Sequence, residues 1–378
     1  MAGIYIHIPF CKCKCHYCNF FSVASLSGKQ GMLAAIEDEI RWRRNYLAGE
    51  EVKTIYFGGG TPSLLSSDEI NNLLYNVIRN FEVANDAEIT LEANPDDLST
   101  EKLTEFRQTG INRLSIGIQS FFEEDLEYLN RVHNSSQAVE SVKLAQAAGF
   151  KNITIDLIYG IPTLSDEHWI SNILKATSLG VQHISAYSLT VEARTPLEWM
   201  IRKGKTKPVD EEQSIRHFEL LSKLMTETGF IHYEISNFCK EGWYSRHNSN
   251  YWNGRKYLGI GPSAHSFNRI ARQWNVSGIT PYIAGMKNGT ASSGEEILTT
   301  VQHYNEYVMT SLRTMWGCHA DEISKRFGEK YNVYFRKLAE QHINKEHLIL
   351  KDNVFTLSAK GILMADAISS DLFVMESL

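Results

Sequence analysis

Three things are scarce in this 378-residue sequence: excess positive charge, long apolar runs, and cysteine outside one short loop. Lys and Arg number 38 against 44 Asp and Glu, a formal charge of −6. That balance lacks the basic footprint with which proteins neutralise a phosphate backbone, so nucleic acid is not an expected partner. No uninterrupted apolar run approaches the roughly 20 residues that cross a bilayer, so the expectation for a membrane is peripheral association at most. The opening MAGIYIHIPF holds no Lys or Arg and runs straight into cysteines, unlike the basic, apolar and cleavable segments of a secretory leader. The expected compartment is the cytoplasm.

Of the six cysteines, Cys239 and Cys318 stand alone while Cys11, Cys13, Cys15 and Cys18 crowd into eight residues. In a reducing compartment such crowding points to metal or redox chemistry and away from disulfides. Hydrophobic residues at 43% and charged residues at 22% exclude disorder and fibrous repeats. The length exceeds one average domain, so a large core with smaller units behind it is expected.

Short β-branched runs at 4–8, 54–57, 88–93, 113–117, 152–158 and 183–188 alternate with segments of helical spacing, some opening on cap residues such as Ser66 or Ser67 and Ser99. Repeated βα units build a parallel sheet through right-handed crossovers. Six of them in about 200 residues predict an α/β fold with an open-sided partial (β/α)6 barrel over residues 1–205, whose ligands sit at the strands' C-terminal ends. Residues 206–300, a charged helix followed by an aromatic and glycine-rich stretch, read as an accessory region completing the barrel's side. Residues 301–378 read as three helices, a hairpin turning at Asp352-Asn353 and a last helix from Ser358, a winged-helix-like α+β domain. That region holds nine Lys/Arg against ten Asp/Glu, so protein docking or a lid role is expected there, not DNA binding.

Cys11, Cys15 and Cys18 follow the spacing Cys-x3-Cys-x2-Cys, which lets one tight loop wrap three corners of an iron–sulfur cubane and leave the fourth iron open to a small-molecule chelate. The alternative is a four-thiolate zinc site with Cys13 as the fourth ligand, the staple of an interaction module. Structural zinc usually draws its ligand pairs from separate segments, and four cysteines in one eight-residue loop close a tetrahedron with difficulty. Gly58-Gly59-Gly60-Thr61-Pro62 leaves the second strand as a glycine-rich turn. Glu92, Gln119 and Asp156 fall near later strand ends, with Arg131 between strands, so all should face one mouth.

These motifs, with Tyr5 to Cys11 (YIHIPFC), Leu91 to Pro95 (LEANP), Arg113 to Phe121 (RLSIGIQSF), Leu129 to His133 (LNRVH) and Asp156 to Pro162 (DLIYGIP), closely resemble the radical SAM superfamily, in its coproporphyrinogen-III-oxidase-like branch. The resemblance covers nearly the whole chain. It implies a [4Fe-4S] cluster on Cys11, Cys15 and Cys18, with S-adenosylmethionine (SAM) held by Tyr5, Tyr17, Gly59, Gly60, Thr61, Glu92, Gln119, Arg131 and Asp156. Two functions divide the branch: radical oxidative decarboxylation of coproporphyrinogen III, and heme chaperoning of the HemW type. The oxidases carry a fourth cysteine two residues after the third and a sizeable N-terminal extension. This chain has Asn19-Phe20 after Cys18, and its first strand is expected from residue 4.

His247-Asn248-Ser249-Asn250-Tyr251-Trp252 resembles the HNxxYW motif of the heme-chaperone group, which implies heme contacts from His247, Tyr251 and Trp252. An imidazole can ligate heme iron and the aromatic rings can pack on a porphyrin face. By its residues alone the stretch also reads as a buried polar-aromatic corner. His265 is a second candidate ligand. The resemblance thus implies a heme chaperone that binds cluster, SAM and heme and delivers heme to apo-hemoproteins, among them those of a respiratory chain.

Overall fold

Each β-branched run forms a strand in the computed structural model, which describes residues 1–289 and 292–376. Residues 290 and 291 of the expected accessory region, and 377 and 378 of the expected C-terminal one, lie outside the described residues. The strands are β1 Ala2–Ile8, β2 Val52–Gly59, β3 Val83–Ala93, β4 Arg113–Gln119, β5 Asn152–Tyr159 and β6 His183–Ser188. They pair in chain order, every pair parallel, because a helix returns the chain between each strand and the next. Several of these helices start on a side-chain cap. Ser66 accepts from the Glu69 N–H while the Glu69 carboxylate takes the Ser66 N–H, and Ser99 caps Thr100–Gln108.

Side chains alternate along each strand. Ile4, Ile6, Ile8, Ile55, Phe57, Ile116 and Ile155 are fully buried against helix residues such as Ile36, Ile40 and Leu73. Each such burial contributes roughly 1.5–3 kcal/mol. The other set faces the barrel's interior and is polar: the Tyr56 hydroxyl donates to Glu92 at 2.7 Å, Ser115 lies 3.2 Å from Asp156, and Arg113 donates to Thr154. A barrel lined this way has room and reason for polar ligands.

The sheet does not stop at six strands. Beside β1 lies β9 Lys256–Ile260, parallel to it, then β10 His265–Phe267, β11 Ala271–Asn275 and β12 Ser292–Ile297. Beside β6 lie β8 Asn237–Cys239 and β7 Ile231–Glu234, both in antiparallel pairing. These pieces of three to six residues, broken by glycines, leave too little alternation to be read as strands from sequence. A buried carboxylate ties the β9 side to the first helix, Lys29–Trp42. Glu39 accepts from the Gly261 N–H at 2.9 Å, the Asn275 amide at 2.8 Å and the Tyr282 hydroxyl at 2.6 Å, with Arg43 at 3.3 Å.

Helices Thr300–Leu312, Ala320–Phe327 and Glu329–Asn344 pack with a three-stranded sheet around their own apolar cluster, separate from the barrel's. Its strands are β13 Cys318–His319, β14 Leu348–Lys351 and β15 Val354–Leu357. The β14–β15 hairpin turns on Asp352 and Asn353 at φ 51° and 62°, as a two-residue type I′ turn requires. No helix among the described residues is long and apolar enough to cross a membrane.

Candidate functional site

The cysteine loop leaves β1 at the barrel's mouth and is fastened on several sides. Phe10 bridges to Val23, and the Cys11 N–H donates to the Val23 carbonyl at 3.0 Å. Lys12 pairs with Asp96 at 2.7 Å and with Asp97, while the His16 N–H reaches the Leu129 carbonyl at 3.1 Å. The sulfurs of Cys11, Cys15 and Cys18 are partly buried; Cys13 is exposed and takes a bond from the Asn130 amide at 3.2 Å. Arg131 stands 3.3 Å from the Cys15 sulfur, the Thr61 and Ser22 hydroxyls reach Cys11, and Ser22 also reaches Cys18. Soft thiols flanked by N–H and O–H donors are the ligand chemistry of an iron–sulfur cluster. Among the described residues no three His, Cys, Asp or Glu side chains gather about one point.

The glycine turn lies alongside this loop. The Gly60 N–H donates to the Ile8 carbonyl at 2.8 Å and the Thr61 N–H to the Phe10 carbonyl at 2.7 Å. Gly59 has φ 110°, and a Cβ there would overlap the His7 ring; one on Gly60 would come within 2.7 Å of the Phe10 carbonyl oxygen. The bare backbone therefore borders the mouth where any side chain would intrude. Glu92 sits within β3, one residue short of its end, accepting the Tyr56 hydroxyl and the Gly59 N–H at 3.1 Å. Asp156 lies halfway along β5, deeper in the barrel than a strand-end position, where Ser115 and Ser185 hold it. Burial raises Glu92 to about 7 and Asp156 to about 6, and the nearby Asp156 charge adds to the rise at Glu92.

Gln119 ends β4 at φ 69°, a left-handed conformation costly for a residue with a Cβ and characteristic of ligand sites. The bare Gly117 makes room for it: a Cβ there would meet the Gln119 amide at 2.9 Å and Arg131 at 3.2 Å. Arg131 donates to the Gly117 carbonyl and to Asn94, both at 2.7 Å, so one guanidinium joins the cysteine loop to β3 and β4. Tyr17 packs against the same corner, close to Arg131, Cys15 and Cys18. Tyr5 faces inward, its hydroxyl 3.1 Å from His7 and its ring stacked on Tyr56. Asn94, which also donates to Thr61, escaped the sequence reading although it follows Glu92 closely in LEANP. Ser22 carried no sequence signal at all.

His247 lies at the opposite end. The helix Arg246–Trp252 closes the barrel's floor, its first N–H groups donated to the buried Glu88 at 3.1 and 2.9 Å. His247 is 2% exposed. One ring nitrogen is 2.9 Å from Thr54 and the other 3.0 Å from the Tyr251 hydroxyl, and the ring stacks on Tyr56 at 4.9 Å. Burial lowers it to about 3, so the imidazole is neutral and both nitrogens are occupied. Tyr251 and Trp252 instead border a cavity of about 670 Å³ on the floor's outer side. His265 is exposed on β10, beside Trp274.

Comparison with known proteins agrees with this geometry. The Radical SAM superfamily model matches residues 5–175. Heme chaperone HemW of Bacillus subtilis is 33% identical over 372 residues, covering 97% of this chain and 98% of the relative. Heme chaperone HemW of Escherichia coli is 39% identical over 272 residues, 70% of this chain and 69% of the relative. Among solved structures, the coproporphyrinogen III oxidase HemN of Escherichia coli superposes with a TM-score of 0.86 over 99% of this chain and 90% of its own. At 23% identity that likeness establishes the fold and not the reaction. With its [4Fe-4S] cluster and SAM as cofactors, the chain belongs to the radical SAM superfamily, in the family of the heme chaperone HemW proteins.

Proposed function

We propose that this protein is a cytoplasmic heme chaperone, at most peripherally attached to membranes, that takes up heme and hands it to apo-hemoproteins such as those of a respiratory chain. The observation that carries the reading is the match to the Bacillus subtilis heme chaperone over 97% of this chain and 98% of that relative. The loop supports it too: where the oxidases resembled have a fourth cysteine, this chain presents Phe20, 65% exposed.

In this reading Cys11, Cys15 and Cys18 hold the cluster, and Arg131, Thr61 and Ser22 stabilise the charge on their sulfurs. When bound, the cluster supplies a one-electron reductant beside SAM. Gly59, Gly60 and Thr61 offer backbone to the methionyl end, and Glu92 and Asp156 present carboxylates to hydroxyl or amino donors. Gln119, Arg131, Tyr5 and Tyr17 close the remaining sides. Tyr251 and Trp252 serve heme from the floor, where His247 fixes their helix.

The test is anaerobic reconstitution followed by parallel incubation with SAM and either hemin or coproporphyrinogen III. Stoichiometric hemin uptake without porphyrinogen turnover is expected; protoporphyrinogen formation with 5′-deoxyadenosine would overturn the chaperone reading. Cys15→Ala is expected to lose the brown iron–sulfur absorbance. Unchanged iron content and spectrum in that variant would sink the cluster assignment.

A further inference from the structure

The cavity under the barrel floor is bordered by Tyr251 and Trp252 from the floor helix, Tyr257 and Phe267 from the β9 side, and Tyr307 and Trp316 from the C-terminal residues. At about 670 Å³ it lies in the range of small-molecule sites. Four arginines, Arg255, Arg269, Arg272 and Arg326, line it against two carboxylates, Glu306 and Glu322. That is a surplus of two positive charges in a chain whose formal charge is −6. Glu306 engages Arg272 at 3.0 Å and Glu322 engages Lys325 at 3.5 Å. Arg255 and Arg326 have no ion pair among the described residues, and the Arg326 guanidinium lies 4.8 Å from the centre of the Tyr307 ring.

Two imidazoles border this cavity, and His303 is the less exposed of them. His303, on the helix Thr300–Leu312, is partly exposed to the cavity, lies 6.5 Å from the Phe267 ring and makes no side-chain hydrogen bond among the described residues. Its helix is held at that end by a capping box between Thr299 and Gln302. His319 also borders the cavity but is exposed. A larger cleft of about 840 Å³, beside the helix Glu211–Glu227, fits less well. Its histidine, His232, is bonded to the Ile235 carbonyl at 3.1 Å, and Glu219 and Glu234 oppose its cations.

Flat aromatic walls, a free neutral imidazole and two unpaired guanidiniums match a planar apolar macrocycle that carries a central metal and two carboxylates. We infer that this cavity is the heme seat: His303 ligates the iron, Arg255 and Arg326 take the two propionates, and Tyr251 and Trp252 form one wall. The inference rests on the heme-uptake reading and deepens it. It moves the iron ligand off His247, whose two nitrogens are already bonded inside the floor.

The test titrates hemin and metal-free protoporphyrin IX into the full chain, following the Soret band and checking each variant's fold by circular dichroism. His303→Ala is expected to lose about tenfold or more in hemin affinity and the spectrum of an imidazole-ligated ferric heme, with protoporphyrin IX binding unchanged. Arg255→Gln with Arg326→Gln is expected to weaken both porphyrins, since both carry the propionates. An unaltered hemin spectrum and affinity in His303→Ala would overturn the seat while leaving heme uptake intact. A wild-type chain that takes up no hemin would instead overturn the uptake reading, and the seat with it.

Discussion

Glu92 and Asp156 both lie inside the barrel, and burial is the chief cause of both raised values. Between its ordinary value of 4.5 and about 7, the folded chain keeps a proton on Glu92 that the unfolded chain has released. Folding stability therefore falls as pH rises through that window. Glu92→Gln removes the titration. Relative to the wild type, the cofactor-free variant should gain up to about 3 kcal/mol between pH 4.5 and pH 8, less whatever the amide loses in its bonds to Tyr56 and Gly59. Thermal melts at pH 5 and pH 8 check this: a difference that ignores pH, or grows on acidification, contradicts it. Such residues were legible because carboxylates near strand ends of a parallel sheet share one face. The strained φ of Gln119 and the hydroxyl of Ser22 were not, since neither conformation nor a contact across the loop leaves a mark on spacing. His247 shows the opposite limit: its motif was plain, but whether the ring meets solvent or Thr54 depends on a strand nearly two hundred residues away.

Among the elements, the six barrel strands could be read because each is a β-branched run between segments of helical spacing, and local propensity agrees with the final packing. The strands beside β1 and β6 were hidden because their stability is borrowed from the sheet they extend. Glu39 shows how that borrowing is secured. Its carboxylate collects donors from Gly261, Asn275 and Tyr282, beside the buried Arg43. Burial raises its pKa, although Arg43 and the hydrogen bonds oppose the rise. Glu39→Ala leaves Arg43 buried without its carboxylate and is expected to cost about 3–5 kcal/mol. Glu39→Gln, which keeps an acceptor, is expected to cost less. Urea unfolding of the two variants distinguishes them; equal, small losses would show that the network does not hold the extension.

Across the whole molecule the two ends of the barrel are joined by a column of rings. His7, bonded to the Phe21 carbonyl of the cysteine loop at 3.0 Å, meets the Tyr5 hydroxyl; Tyr5 stacks on Tyr56, and Tyr56 on His247. His247 then bonds Tyr251, which borders the floor cavity. The mouth that carries the cysteine loop and the floor that borders a basic aromatic cavity therefore belong to one continuous packed structure. The most direct test loads the reconstituted chain with hemin, adds SAM and the apo form of a respiratory-chain hemoprotein under anaerobic conditions, and follows the Soret band of each protein. Heme leaving this chain and appearing stoichiometrically in the acceptor is the expected result. Heme that stays bound here, alongside carbon dioxide release from coproporphyrinogen III under the same conditions, would contradict the account.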